Sequence, residues 1–464
     1  MAHLSRALDT RSAILLVVSG IIGSGVFKKV APMAAELGSP LLVVGCWVVA
    51  GIVSLTGALT YAEMAGMFPQ SGGEYVYFKK VYGKLFAFLY GWGAFAVMRT
   101  ATIAALAHIF GQSLLALIDV PGESAELIVK VIATLLILFL SSLNYWGITF
   151  AEGFSRALIY IVFVAVAVIA WLGFSAESGS LSNLTHSVPP IGTNERSSLL
   201  GSLVIASLGA FWGYEGWNQI GYIGEEIKQP QRNLPIALSI GTSIVVGIYV
   251  LLNVVYVYVT PIDGLIQLAG MPGKIAAVDV IRQAAGWAGA TFISVLILIT
   301  TSNSTNASIL MPARLFYAMA RDGLFFKAAA VIHPRHKTPS VAIMLQSGWS
   351  IVLVWSGSFD QLTDMLVFAS FIFYGATAVG VILLRIKQPD LLRPYRVIGY
   401  PLIPAFFACF CALLVGMTLI NQPREALTGL ALIATGLPFY WFWRKNSIDA
   451  TSDAESSETH STTG

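Results

Sequence analysis

Residues 21–29 read Ile-Ile-Gly-Ser-Gly-Val-Phe-Lys-Lys, so a run apolar enough to enter a bilayer is interrupted by Gly23-Ser24-Gly25 and followed by two lysines. A helix that only had to cross a membrane would avoid that composition. The stretch therefore predicts a membrane helix broken near its middle. Unwinding frees backbone groups where only protein, water or a ligand can satisfy them. The second half-helix begins with open N–H groups and a positive dipole end, which suit a carboxylate. The first half-helix ends in open carbonyls, which suit an ammonium.

The rest of the chain supplies the solvent. Of 464 residues, 56% are hydrophobic and only 11% charged, against roughly 25% charge in a soluble domain. About twelve apolar runs are long enough to cross a hydrocarbon core of about 30 Å as helices. They fall near 13–37, 41–66, 82–111, 126–146, 152–174, 198–222, 233–259, 279–320, 341–356, 364–385, 398–420 and 425–443. The fold class expected is an all-α polytopic membrane protein with 12 transmembrane helices. With both termini placed in the cytoplasm, most of the 27 basic residues fall in inside loops, as the positive-inside bias requires.

A second interruption, Gly213-Tyr214-Glu215-Gly216, lies in the sixth run. The first and sixth runs open two successive blocks of five. Because five is odd, a second block of the same fold enters the membrane from the opposite side, giving a 5+5 inverted repeat. Broken segments at matching positions of two halves point to a transporter site between them. The competing reading is close helix packing, since Ser19, Gly23 and Gly20, Ser24 also form a small-xxx-small pattern. The chain then divides into a cytoplasmic N-terminus at 1–12, a first repeat at 13–175, an external loop at 176–197, a second repeat at 198–386, two more helices within 387–445, and a disordered cytoplasmic tail at 446–464.

Other classes find little support. Cys46, Cys409 and Cys411 all lie in apolar runs and read as lipid-facing or packed small hydrophobes, with no disulfide framework. Only His108 among the six histidines falls in a predicted span, so neither a metal site nor an intramembrane catalytic cluster is indicated. No cofactor is implied. No basic, aromatic-laced soluble segment is present to bind nucleic acid. Arg6 and Arg11 precede the first apolar run as in a signal peptide, but no small-residue cleavage site follows.

Several passages together resemble one family: Gly23-Ser24-Gly25-Val26-Phe27, the stretch from Ser71 to Gly83, Trp212-Gly-Tyr-Glu-Gly-Trp-Asn218, the stretch from Glu225 to Pro235, Asn306-Ala-Ser308 and Ala313-Arg-Leu-Phe316. They are similar to the L-type amino acid transporters of the amino acid, polyamine and organocation superfamily. The resemblance implies the LeuT-type fold with broken helices 1 and 6, and alternating access. It implies an α-carboxylate on Ser24 and Gly25, an α-amino group on carbonyls near Ile21, Trp212 and Glu215, and Trp212 as an outer lid. Ile21, Gly23, Ser24, Gly25, Phe211, Trp212, Glu215 and Asn218 are the substrate-binding candidates, and Trp212, Arg99, Ser304 and Asn306 the gating or coupling candidates. Trp212 also reads as a packing residue.

Glu215 carries three readings at this stage: counter-ion for a cationic side chain, protonatable coupling group, or structural acceptor held by N–H groups at the break. Arg99 either pairs at membrane depth or snorkels. Glu63 is expected to anchor the inner end of the second helix, and Lys28 and Lys29 to snorkel at the outer surface. Arg232 and Arg314 are expected as inner-side ties. Where many relatives carry a lysine in the fifth helix, Val162 stands here, and Ser304 offers a hydroxyl for an ion. The loop after the third helix lacks the cysteine that holds a heavy chain in related transporters, so no covalent partner is expected. The resulting expectation is an amino acid exchanger of a bacterial inner membrane. A proton- or sodium-coupled symporter, a polyamine carrier and a non-transporting sensor remain open.

Overall fold

The computed structural model describes residues 6–118, 125–189, 199–271, 274–356 and 359–444. The tail expected at 446–464 and loop residues 119–124 lie outside the described residues. Among the described residues the chain is helical, with one isolated parallel bridge between Leu8 and Ile227, and ten helices are long and apolar enough to cross a membrane.

The first span is broken as the opening stretch requires. Helix α1 (Thr10–Ile21) stops, and the chain resumes as α2 (Gly25–Lys28) and α3 (Val30–Leu37). Then follow α4 (Pro40–Met67), a short α5 (Glu74–Val81), and α6 (Lys84–Gly93), which passes through a π-turn at Ala94–Met98 into α7 (Arg99–Ile118). Helices α8 (Ala125–Tyr145) and α9 (Ile148–Phe174) complete the first half.

The second half opens with α10 (Leu199–Tyr214), which breaks and continues as a 3-10 segment at Trp217–Glu226. Helix α11 (Pro230–Val259) leads to a short α12 (Ile262–Ala269), then α13 (Ala276–Leu310) and α14 (Ala313–Arg321). Helices α15 (Ser340–Ser356), α16 (Phe359–Lys387), α17 (Leu402–Asn421) and α18 (Pro423–Ala434) end the fold.

Three boundaries differ from expectation, each for a local reason. The run at 279–320 is not one helix: Ala285 and Gly286 leave helical geometry and Pro312 restarts the chain as α14. The second break falls at Glu215–Gly216 rather than across Gly213–Gly216, because Gly213 and Tyr214 still belong to α10. The hydrophilic stretch 74–81 forms a helix of its own, with Glu74 at its start and Lys79 and Lys80 at its end, the arrangement the helix dipole favours.

Large apolar side chains stay on the outer faces of the long helices. Leu135, Leu138 and Phe139 of α8 and Val164 and Trp171 of α9 are exposed. In water such a face would be an aggregation site; against lipid tails it is the expected surface. Polar tension is confined to the interior. Glu63 at the end of α4 accepts two hydrogen bonds from Arg385 at 2.9 and 2.6 Å and one from the Val397 amide at 2.7 Å, so it does anchor that end of the helix.

Asp9 caps α1, accepting from the Ser12 amide at 2.8 Å. That bond holds its carboxyl below the usual carboxylate range, so the cap is in force above that range and weakens as pH falls through it. Replacing Asp9 by alanine is expected to cost about 1 kcal/mol. A lower melting point for purified Asp9→Ala at pH 7, with the gap to wild type narrowing in acid, is the result that checks this.

Candidate functional site

The two breaks meet. Helix α1 ends when Ile22 turns to extended backbone, its N–H still donating to Val18, and α2 restarts at Gly25. Helix α10 ends at Tyr214, and Gly216 turns the chain with a φ of +111°. A methyl added at Gly25 would lie 2.4 Å from the Gly213 Cα, and one added at Gly216 would lie 2.4 Å from the Gly20 carbonyl oxygen. The glycines therefore do two things that the sequence offered as alternatives: they release the backbone, and they let two broken helices touch main chain to main chain.

A small cavity sits at this crossing, walled by Gly20, Ile21, Gly23, Ser24, Gly25, Thr102, Leu106, Trp212, Glu215 and Ser304. Seven of the wall positions come from the two breaks and their flanks, Thr102 and Leu106 come from α7, and Ser304 comes from α13. The Ser24 hydroxyl is buried there and makes no hydrogen bond. Other polar groups at the crossing are engaged: Ser304 Oγ donates to the Gly20 carbonyl at 3.3 Å, and Tyr249 OH donates to the Ile21 carbonyl at 2.9 Å. Because each carbonyl has a second lone pair, both can still accept.

Below the cavity Glu215 is the centre of a buried network. Arg99 Nη1 donates to it at 2.8 Å and Tyr374 OH at 2.7 Å, with the Arg99 and Glu215 side chains only 1% and 3% exposed. Arg99 Nε donates to Tyr222 OH at 3.0 Å, and Tyr222 shares a proton bond of 2.5 Å with Tyr90. Tyr374 reaches Asn218 Oδ1 at 3.3 Å, Asn218 donates to Glu74, and Tyr61 OH donates to Glu74 at 3.0 Å. Thus α4, α5, α6, α7, α16 and the second break are joined by one chain of hydrogen bonds. Arg99 does not snorkel; it is buried and paired. Glu215 accepts from a guanidinium and a phenol, where the sequence reading of a structural acceptor named amides of the break.

A second buried pair lies farther along the 3-10 segment. Arg314 donates to Glu226 at 2.7 and 3.3 Å and to the Leu310 carbonyl at 2.7 Å. The Leu8 amide donates to the Glu226 carbonyl at 3.0 Å, and the Lys228 amide to the Leu8 carbonyl at 2.8 Å. The chain ahead of α1 is thereby fastened to the segment after the second break. Arg314 is the tie expected from sequence; Arg232 is exposed.

Other candidates sit away from the cavity. Phe211 meets Phe371 and Phe410 edge-on, with ring centroids 4.7 and 5.4 Å away, on the side of α10 toward α16 and α17. Asn218 belongs to the network beneath. Asn306 bonds Ala151 and Ser155 of α9 at 3.1 and 3.0 Å and accepts from Asn144 of α8, a scaffold contact. Val162 is fully buried in α9. Lys29 corrects an expectation: it is buried, with its ammonium 3.2 Å from Thr363 Oγ1 and 3.9 Å from Asp364, because α3 lies inside the bundle rather than at its surface. Lys28 donates to Gln112 at 3.2 Å. Cys46 and Cys411 are buried and Cys409 is exposed. Among the described residues no His, Cys, Asp and Glu cluster is arranged to hold a metal.

Sequence reasoning missed Glu74, Tyr222, Tyr374 and Glu226. Glu74 and Glu226 lie inside the conspicuous stretches 71–83 and 225–235, and a carboxylate beside an apolar run was the available signal. Nothing local marks the tyrosines, whose partners are more than a hundred residues away in the chain.

Comparison with known proteins adds an independent line. A family model described as amino acid permease matches residues 8–442. The chain is 30% identical over 448 residues to the human b(0,+)-type amino acid transporter 1, covering 95% of this chain and 88% of that protein. It is 28% identical over 443 residues to the human cystine/glutamate transporter, covering 95% and 86%. It is 30% identical over 453 residues to the serine/threonine exchanger SteT of Bacillus subtilis, covering 95% and 98%.

Proposed function

The chain belongs to the amino acid permease family, and from that premise we propose that it is a secondary active exchanger of neutral amino acids, working by alternating access. The observation that carries the reading is the Ser24 hydroxyl, buried and unpartnered at the start of a half-helix in the cavity where both breaks meet. A carboxylate placed there gains a hydroxyl donor and the positive end of α2 and α3. The carbonyls of Gly20 and Ile21 lie on the opposite side of the same break and can accept from an ammonium. Trp212 closes the wall.

The preference for neutral substrates follows from charge. Glu215 reaches the cavity, but its carboxylate is already balanced by Arg99 and held by Tyr374. A cationic side chain entering beside it would meet a compensated pair rather than a lone anion, and displacing Arg99 would leave a buried guanidinium unpaired. The counter-ion reading of Glu215 is accordingly the weaker one. What supports exchange is the similarity to the serine/threonine exchanger SteT.

Alternating access would work through the two networks. Opening on the Glu226 side requires parting Arg314 from Glu226 and Leu8 from the 3-10 segment. The buried chain from Glu215 to Glu74 would move with the second break. In this reading the ten long spans, together with α15 and the broken α10, make twelve crossings, the first ten a LeuT-type 5+5 inverted repeat and the last two outside it, with both termini in the cytoplasm and no disulfide-linked heavy chain.

The test is counterflow into proteoliposomes with labelled alanine and labelled arginine. Internal unlabelled alanine should accelerate alanine entry, and arginine should neither enter nor compete. Acceleration of arginine entry would reinstate Glu215 as a counter-ion, and uptake that ignores internal amino acid would remove exchange. In the same assay Ser24→Ala should raise the KM for alanine about tenfold or more, as expected for a hydrogen bond to a charged group. Its melting temperature should not fall, because the lost hydroxyl had no partner in the protein.

A further inference from the structure

A groove between α8 and α15 lies outside everything the amino acid site uses. Its volume is about 480 Å³, within the ~300–1,000 Å³ range of small-molecule sites. Leu138, Ile343, Met344 and Ile351 make it apolar, and Tyr145 and Trp146 stand at one end. The hydroxyls along it are satisfied within the protein: Ser141 and Ser347 bond each other at 2.7 Å across the cleft, and Ser142 donates to the Leu138 carbonyl at 2.9 Å. What remains for an occupant is a hydrocarbon lining.

The aromatic end of the groove abuts a basic loop. Tyr145 lies against His333 and His336, with ring centroids 5.1 and 5.4 Å away, and its carbonyl accepts from Thr338 Oγ1 at 3.0 Å. The stretch from Lys327 to Lys337 reads Lys-Ala-Ala-Ala-Val-Ile-His-Pro-Arg-His-Lys, without one acidic residue. Arg335 and Lys337 are exposed. Membrane helices that end in an aromatic belt beside exposed cations combine an acyl environment with a phosphate-binding rim.

We propose that this groove seats an anionic phospholipid, with one acyl chain along the α8–α15 cleft and the phosphate held by Arg335 and Lys337. Under the positive-inside orientation it is a lipid of the cytoplasmic leaflet. The charge of the rim selects this occupant over a second copy of the chain, which would bring a like-charged loop to the same depth.

Gly348 on the groove wall suits the test, since a methyl added there meets nothing within 4 Å. The full chain, purified in mild detergent, is titrated with palmitoyl-oleoyl phosphatidylglycerol and with the phosphatidylcholine of the same chains, and retained lipid is read by native mass spectrometry. Wild type should retain phosphatidylglycerol preferentially. Arg335→Ala with Lys337→Ala should weaken that retention roughly thirty-fold, the loss expected for two cations at a membrane surface. Gly348→Leu should reduce retention of both lipids alike by filling the cleft. Amino acid uptake should persist in both variants, which reports that they are folded. Equal retention of the two lipids by wild type, wild-type retention by Gly348→Leu, or a change of oligomeric mass in place of lipid loss would each overturn the proposal.

Discussion

Arg99→Leu is expected to lower the stability of the folded protein by about 3–5 kcal/mol and to abolish amino acid uptake. The leucine would leave Glu215 as an uncompensated carboxylate with 3% exposure. Tyr374 alone cannot balance that charge. Glu215→Gln should also destabilise, because the amide can still accept from Arg99 and Tyr374 but leaves the buried guanidinium without its counter-charge. The decisive variant is the double one. Arg99→Leu with Glu215→Gln removes both charges together, so it should be more stable than Arg99→Leu alone, with a coupling of up to about 3 kcal/mol. Unfolding midpoints of the four proteins measure this directly, and additive effects would mean that the two side chains do not interact.

Gly216→Ala should be equally damaging by a different route. The position has a φ of +111°, and a methyl there would sit 2.4 Å from the Gly20 carbonyl oxygen. Backbone faces it, so no side chain can rotate away, and the two broken helices must separate. Uptake is expected to fall at least a hundredfold, since a displacement of about 1 Å at a site that works by positioning costs that much. Gly45→Ala in α4 and Gly247→Ala in α11 are the controls. An added methyl meets nothing within 4 Å at either position, and alanine is favoured over glycine in a helix interior by about 0.5–1 kcal/mol. Both should transport normally and melt no lower than wild type. Parallel uptake and melting curves for the three variants separate a special glycine from an incidental one.

These contrasts also show which features a linear reading could reach. Long apolar runs declare themselves through solvent alone, so the spans were legible, and the Gly23-Ser24-Gly25 interruption was legible because nothing in a plain membrane helix calls for it. Pro312 and Gly286 were visible too, but their effect depends on how α13 and α14 pack, and the charges of the run, Asp279, Arg282 and Arg314, stand at the two ends of a long apolar stretch. Ser24, Trp212 and Glu215 came together at the cavity because they flank the breaks. Phe211 and Asn306 did not, because one residue along a helix turns a side chain by about 100°, and a linear sequence does not say which helices pack around the break. The pairing of Arg99 with Glu215 spans 116 positions. Spacing arguments end well short of that distance, so a buried arginine could be noticed but not given its partner.

The strand-like contact of Leu8 with the segment around Ile227 bears on how the protein is handled in the laboratory. Both main-chain bonds of Leu8 are committed to the far side of the second break. A tag, peptide label or fluorescent protein fused at the N-terminal end therefore hangs from this contact, which on the alternating-access proposal releases in every cycle. Slow turnover in such a fusion would measure the fusion and not the carrier. Cleaving the tag before kinetics frees Leu8 and its contact from that load.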